Sequence, residues 1–429
     1  MMKQRIVAID ILRGFALLGI LLMNMSSYAM PAMAYFNPTV YGGDEVWNRL
    51  VFSLNHIFAD QKMMALFSML FGASVVLVTS NMEKKGKPSL RFYYSRNAWL
   101  LAFGLVHSIL IWDGDVLVIY ALCSFVLYWL RRVSPTWQLV MGLSVFFIPS
   151  LFNVWVDSVL PYLQAADLQY LVTFWQPSAA TISAEIALYQ GGYIDQVIYR
   201  LGDGSTGMVY TDGQALAEAS LLIEFFCRAL GMMLIGMALY TWGILTGKRT
   251  ASFYIKMAGV GFGIGLPIAL IGLYQYTAHD WDAFYSLFVG RIPNHIATPF
   301  IASGYIALIM LWCHSDFLTA LRERLANVGR MALTNYIGQS LIATSLFYGF
   351  GLGLFGMVDR IQQMVIVLCI WGIQIVFSSW WLRHFQYGPL EWVWRCLSHW
   401  RWQPLQRRQL ADIQNDETPH SLQTSQKQR

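Results

Sequence analysis

Asp10 and Arg13 stand inside an otherwise apolar run, IVAIDILRGFALLGILLMNM, at positions 6–25. At spacing i, i+3 they share one helix face and can pair. A guanidinium offers a planar fork to a phosphate or carboxylate, so the pair reads either as an anion site or as a salt bridge between helices. A second set gathers elsewhere. His107 is followed by Asp113 and Asp115 in a turn, His56 and Asp60 are spaced i, i+4, Asn24 ends the first run, and Asn294-His295 follows Arg291. A histidine held by a carboxylate is a common general base for activating a hydroxyl or amine. Taken singly, each histidine reads more readily as a helix cap or a carbonyl partner. Their accumulation at one depth favours a working site with His107, His56, Asp60, Asp113 and Asp115 as its catalytic candidates.

A third set, Arg330, Thr334, Asn335, Gln339 and Ser340, lies in GRMALTNYIGQS at 329–340. With Asp10, Arg13 and Asn24 it suits a cofactor's polar arm; the plainer reading is hydrogen bonding between helices. Glu224 and Arg228, at i, i+4, read as an ion pair. The run GVGFGIG at 259–265 lacks the strand–helix–strand setting of a nucleotide fingerprint and reads as close helix packing. Cys123, Cys227, Cys313, Cys369 and Cys396 have no zinc spacing, and no metal is expected.

The elements that must carry these residues are membrane helices. The chain is 56% hydrophobic and 12% charged, against about 25% charged in soluble domains. Its net charge of +5 sits between apolar runs, which makes it a topology signal and not a nucleic-acid surface. Ten spans are expected, roughly 6–25, 61–80, 97–112, 116–130, 137–156, 219–245, 257–276, 295–313, 331–350 and 362–382. An amphipathic segment at 47–60 approaches the second. Lys84, Lys85, Lys87, Arg91 and Arg96, Arg131-Arg132, Lys248-Arg249, and Arg322, Arg324 and Arg330 mark the cytoplasmic loops, so both ends are expected in the cytoplasm. The fold class is all-α, a polytopic membrane helix bundle. It divides into a five-helix half at 1–156, an external polar segment at 157–218 with short helices near 180–189, a second five-helix half at 219–395, in which the chain beyond Arg383 already reads as tail, and a basic, then polar and disordered tail at 396–429. The first run is too long and too charged for a cleaved signal and is expected to stay.

Several stretches carry a resemblance over most of the chain: AIDILRGFALLGILLMNM, AYFNP, ADQKMMALFSMLFG, GLVHSILIWDGDVLVIYALC, WQPSAATISAEIALYQGG, GRMALTNYIGQSLIATSLFYGFGLGLFG and YGPLEWVWRCL. Through them the chain resembles the YeiB-like family of bacterial inner-membrane proteins, whose C-terminal half is a domain of unknown function. Asp10-x-x-Arg13-Gly14 is more distantly similar to the transmembrane acyltransferases, among them heparan-α-glucosaminide N-acetyltransferase. The O-acyltransferase branch pairs that Arg with a His eleven residues on, where this chain has Asn24. The heparan-enzyme branch also has Asn there and takes its His from the next external loop, which makes His56 the analogous candidate and His107 a second.

That resemblance implies a membrane-bound acyltransferase. It would take an acyl group from cytoplasmic acyl-CoA (acetyl-CoA) and pass it to an envelope glycan, lipid or small-molecule acceptor, with the thioester shielded from water. The alternative is a permease for a small anionic solute, against which the missing internal repeat counts. The lipid bilayer is the other expected partner, nucleic acid is not, and a homo-oligomer is compatible with the sequence.

Overall fold

Long apolar runs separated by basic or Gly/Pro-rich turns fold as helices because a bilayer leaves backbone groups no partner but their own chain. The computed structural model describes residues 7–43, 45–86, 88–202 and 211–406. The polar tail beyond 406 and positions 203–210 lie outside the described residues. Seventeen helices follow in order. They are α1 (Val7–Ala29), α2 (Val46–Phe58), α3 (Lys62–Glu83), α4 (Ser89–Leu110), α5 (Leu117–Leu130), α6 (Pro135–Val159), α7 (Ala165–Trp175), α8 (Ala179–Tyr189), α9 (Tyr193–Leu201), α10 (Asp212–Thr241), α11 (Ala251–Ala278), α12 (Ala283–Leu287), α13 (Ile292–Cys313), α14 (Thr319–Arg330), α15 (Ala332–Phe347), α16 (Arg360–His384) and α17 (Pro389–His399). No strand occurs among the described residues, so the all-α bundle stands.

Among the described residues seven segments are long and apolar enough to cross a membrane: α1, α2–α3 together, α6, α10, α11, the stretch 289–313 that contains α13, and α16. The other three expected spans are helices too. α4 has 22 residues but carries Arg91 and Arg96, α5 has 14 residues and α15 has 16. Two expectations need correction. The basic loop read before residue 331 is helix α14, whose Leu325, Ala326 and Val328 are buried while its arginines fringe it. The stretch after Arg383, read as tail, contains α17, which packs against α4 and α15. The polar segment 157–218 holds three short helices, α7, α8 and α9, of which α8 covers the expected 180–189.

α1 is the axis, packed against α3, α13, α14, α15 and α16. Its start defines the near face and its end the far face. Glycines permit the closest crossings: a Cβ on Gly14 would lie 2.1 Å from Leu325 O, and one on Gly329 would lie 1.9 Å from Asp10 O. Helices in lipid associate through such backbone contact. Between α2 and α3 the chain breaks at Gln61, whose φ of 62° is left-handed, a conformation costing a non-glycine residue about 1–3 kcal/mol. The break frees carbonyls, and the fully buried Lys62 answers by donating its Nζ to His56 O at 2.7 Å.

Candidate functional site

Two cavities lie end to end along α1. The near cavity, about 130 Å³, has Arg13, Arg96, Arg330 and Glu391 in its wall. Apolar side chains including Leu17, Phe67, Phe71 and Leu100 form much of the rest, and the lining reaches Ile20 and Val116. Arg13 reaches it from α1, with Nη1 3.3 Å from Asp10 Oδ1 and 3.5 Å from Gly329 O, and Nη2 3.3 Å from Ser74 Oγ. The expected i, i+3 pair is therefore made, and the same guanidinium still lines the cavity. Arg96 stacks 4.1 Å over the Trp394 ring of α17, which holds it in place. Three guanidinium groups thus line one largely apolar slot, and each offers the planar fork of donors that pairs with a phosphate or carboxylate.

The polar residues of α15 divide. Asn335 Nδ2 donates to Ser378 Oγ at 2.9 Å, and Gln339 Nε2 to Gln374 Oε1 at 3.0 Å. These two tie α15 to α16, and with Thr334 they stand outside the lining. Thr334 instead meets Glu391, whose carboxylate accepts from Leu333 N at 2.7 Å, Thr334 N at 3.1 Å and Thr334 Oγ1 at 2.6 Å. Glu391 thus caps α15 from α17. Burial holds its carboxyl above the usual carboxylate range, against these bonds, which favour the ionised form.

The far cavity, about 310 Å³, shares Ile20 and Val116 with the near one. Its wall holds Asn24, Asp113, Asp115 and Glu185 among Tyr35, Phe36, Trp112, Tyr189 and Phe225, with no Lys or Arg in the lining. Asp115 caps α5, its Oδ2 accepting from Val118 N at 2.7 Å. Its Oδ1 lies 2.8 Å from His107 Nδ1, His107 Nε2 lies 2.8 Å from Ser340 Oγ, and Ser340 Oγ lies 2.7 Å from Tyr28 OH. A neutral His107 protonated on Nδ1 donates to Asp115 and accepts from Ser340, so every bond in the row is satisfied. His107 is fully buried behind Asp115 and lines neither cavity. Glu185 Oε1 accepts from Ala32 N at 2.8 Å, and burial raises its carboxyl.

His56 and Asp60 lie to one side. They line two small cavities of about 40 and 30 Å³ that adjoin the far cavity at Tyr35. Asp60 accepts from Tyr35 OH at 2.6 Å and Asn294 Nδ2 at 2.8 Å, and His56 Nδ1 lies 3.6 Å from Asp60 Oδ2. The two histidines therefore occupy separate polar groups. Glu224 binds Arg228 at 2.7 Å within α10 and Arg291 at 2.6 Å from the turn before α13, so the expected ion pair is a triad between helices.

Four charged residues in these walls, Arg96, Glu185, Glu391 and Arg360, and Lys62 behind them escaped the sequence reading as site groups. Arg96 was counted as a loop cation, while Glu185 and Glu391 sat in stretches read as external segment and tail. Lys62 passed as the edge of a span, though a lysine between IFAD and MMALFSM is itself an intramembrane signal.

A family model described as "Protein of unknown function (DUF418)" matches residues 239–401. The chain is 33% identical over 401 residues to the Escherichia coli (strain K12) protein described as "Uncharacterized protein YeiB", covering 92% of this chain and 96% of that one. It is 31% identical over 421 residues to "Uncharacterized protein YxaH" of Bacillus subtilis (strain 168), covering 95% and 97%. A Bacillus acidopullulyticus protein, described as an uncharacterized 39.9 kDa protein in the amylase 3' region, is 25% identical over 416 residues.

Proposed function

We propose, from the premise that the chain belongs to the YeiB-like family of polytopic helical membrane proteins, that it moves an acyl group from a coenzyme A thioester in the near cavity to an amine or hydroxyl in the far cavity. One observation carries this reading: the guanidinium-walled slot and the carboxylate-walled chamber meet at the same two side chains, Ile20 and Val116. A phosphate-bearing donor fits the side with Arg13, Arg96 and Arg330, and a cationic or polyol acceptor fits the side with Asp113, Asp115 and Glu185.

In the reaction the acceptor N–H or O–H attacks the thioester carbonyl at the septum. The new C–N or C–O bond forms, the C–S bond breaks, and coenzyme A leaves as thiolate. Asp115, next to Val116, takes the acceptor's proton and returns it to the thiolate sulfur. His107 holds the carboxylate from behind, and Asn24 and Asp113 orient the acceptor. An anion permease is disfavoured, because an anion passing Arg13 would next meet three carboxylates.

The near face corresponds to the cytoplasm of a bacterial inner membrane, since Glu83, Arg131 and Arg132 meet there and the basic loops gather on that side. A reporter fused after Gln406 should then read as cytoplasmic, and an external reading refutes the orientation. The activity test uses the full chain in nanodiscs with acetyl-labelled acetyl-CoA and, as acceptors, glucosamine, glycerol and phosphatidylethanolamine. Label transfer is expected, falling about 10²–10⁴-fold in Asp115→Asn while coenzyme A still binds. Absence of coenzyme A binding by calorimetry, or full turnover in Asp115→Asn, overturns the proposal.

A further inference from the structure

The compartment beside the far cavity takes no part in the transfer proposed above, yet five charged side chains line it. Its two small cavities share Tyr35, His56 and Asp60. One is completed by Glu224, Arg228 and Arg291, the other by Ser26, Asn55 and Arg360. The lining therefore holds three guanidinium groups against two carboxylates, and Lys62 stands directly behind with its Nζ on His56 O and Asn294 Oδ1.

Both carboxylates are already engaged. Glu224 is held by Arg228 and Arg291, and Asp60 by Tyr35 and Asn294. Arg360, only 3% exposed, donates to Ala34 O at 2.7 Å, Gly42 O at 3.1 Å, Tyr41 O at 3.4 Å and Ser26 Oγ at 3.2 Å, and meets no carboxylate among the described residues. Two nitrogens in the same walls are buried without a hydrogen-bond partner, Arg228 Nε and His56 Nε2. An arginine Nε can only donate. A neutral imidazole protonated at Nε2 also donates, and Nδ1, 3.6 Å from Asp60, is too far for a hydrogen bond to hold the opposite tautomer. Surplus positive charge and unused donors inside a bundle call for a negative partner.

We infer that this compartment binds a small monovalent anion, a halide or a carboxylate, on Arg228 and His56, with Arg360 balancing its charge. Size sets the class. A water-sized probe needs about 10–15 Å³, so cavities of about 40 and 30 Å³ accept an ion of one to three heavy atoms and exclude a nucleotide or a phosphate ester. The inference stands apart from acyl transfer and is tested without it.

The full chain in nanodiscs, kept in bulky gluconate, is titrated with chloride, bromide, formate or phosphate while its unfolding midpoint is followed. Saturable stabilisation by chloride and bromide, or by formate, is expected at concentrations where phosphate has no effect. A halide response assigns a free ion, and a formate response without one assigns a carboxylate group; both support the site. Two variants should move in opposite directions. Arg360→Gln removes a positive charge and should weaken binding about tenfold, whereas Glu224→Gln removes a negative one and should tighten it about tenfold, each equal to about 1.4 kcal/mol. Should either variant fold poorly, anomalous scattering from bromide-soaked crystals of the unaltered protein locates the ion. No anion-specific stabilisation, halide stabilisation with no bromide beside Arg228, or variants shifting affinity in the same direction each overturn the inference.

Discussion

Substituting Gly329 by alanine tests whether the α1–α14 crossing sets the near cavity. The added Cβ would sit 1.9 Å from Asp10 O and 2.7 Å from Gly14 N, both backbone atoms, whereas ordinary contact starts at 3.4 Å. The two helices must therefore part by about 1.5 Å, and overpacking of this kind costs about 1–3 kcal/mol. The displacement falls on the near cavity, because Arg13, paired with Asp10 on α1, donates across the crossing to Gly329 O. A misplacement of about 1 Å costs on the order of 100-fold in turnover. The control is Gly338→Ala on α15, where a Cβ meets nothing within 4 Å; a helix gains up to about 1 kcal/mol from that exchange. Urea unfolding of both variants followed by Trp fluorescence, with coenzyme A titration by calorimetry, gives the comparison. If Gly329→Ala unfolds at the same midpoint as Gly338→Ala and binds coenzyme A equally well, the crossing does not position Arg13.

Arg13→Lys should insert and fold yet lose coenzyme A binding at least about tenfold, since a point charge replaces a fork; equal loss of folded protein in Arg13→Lys and Arg13→Ala would make the residue structural. Lys62→Met strips the donor from His56 O and Asn294 Oδ1 and should destabilise by about 1–3 kcal/mol, read as a lowered unfolding midpoint. Glu391 gives a pH dependence of known sign: its folded carboxyl is raised, so its contribution to stability is complete below the unfolded carboxylate value and is lost as pH rises through the raised one. Unfolding midpoints from pH 4 to 8 should fall across that window, and the fall should shrink in Glu391→Gln.

Ten helices were legible because each is a predominantly apolar run and basic residues mark every second connection between them. α14 and α17 were not, because RERLANVGR and PLEWVWRCLSH bury a few side chains each and otherwise read as loop and tail. The Asp10–Arg13 pair followed from spacing alone. The partner of His107 was visible in the nearby Asp115, while Ser340 lies 233 positions away and only the fold brings it there. The same holds for Arg96: nothing local distinguishes it from a topology-setting cation until α17 lays Trp394 beneath it. The separation of His56 from His107 rests on Tyr35 and its aromatic neighbours, which a depth estimate cannot see.

The septum of Ile20 and Val116 has an electrical consequence. A membrane voltage drops mainly where polarisable groups and water are absent. With a filled cavity on each side, that region shrinks from the full bilayer to one layer of side chains. A charge crossing it then feels nearly the whole potential, about 2.3 kcal/mol per 100 mV. The transfer proposed above exchanges one acyl group for one proton across that layer and leaves the charge on each side unchanged, so its equilibrium does not depend on voltage; only the step in which coenzyme A's thiolate on one side faces the proton held by Asp115 on the other separates charge, and that is the step on which the membrane voltage acts.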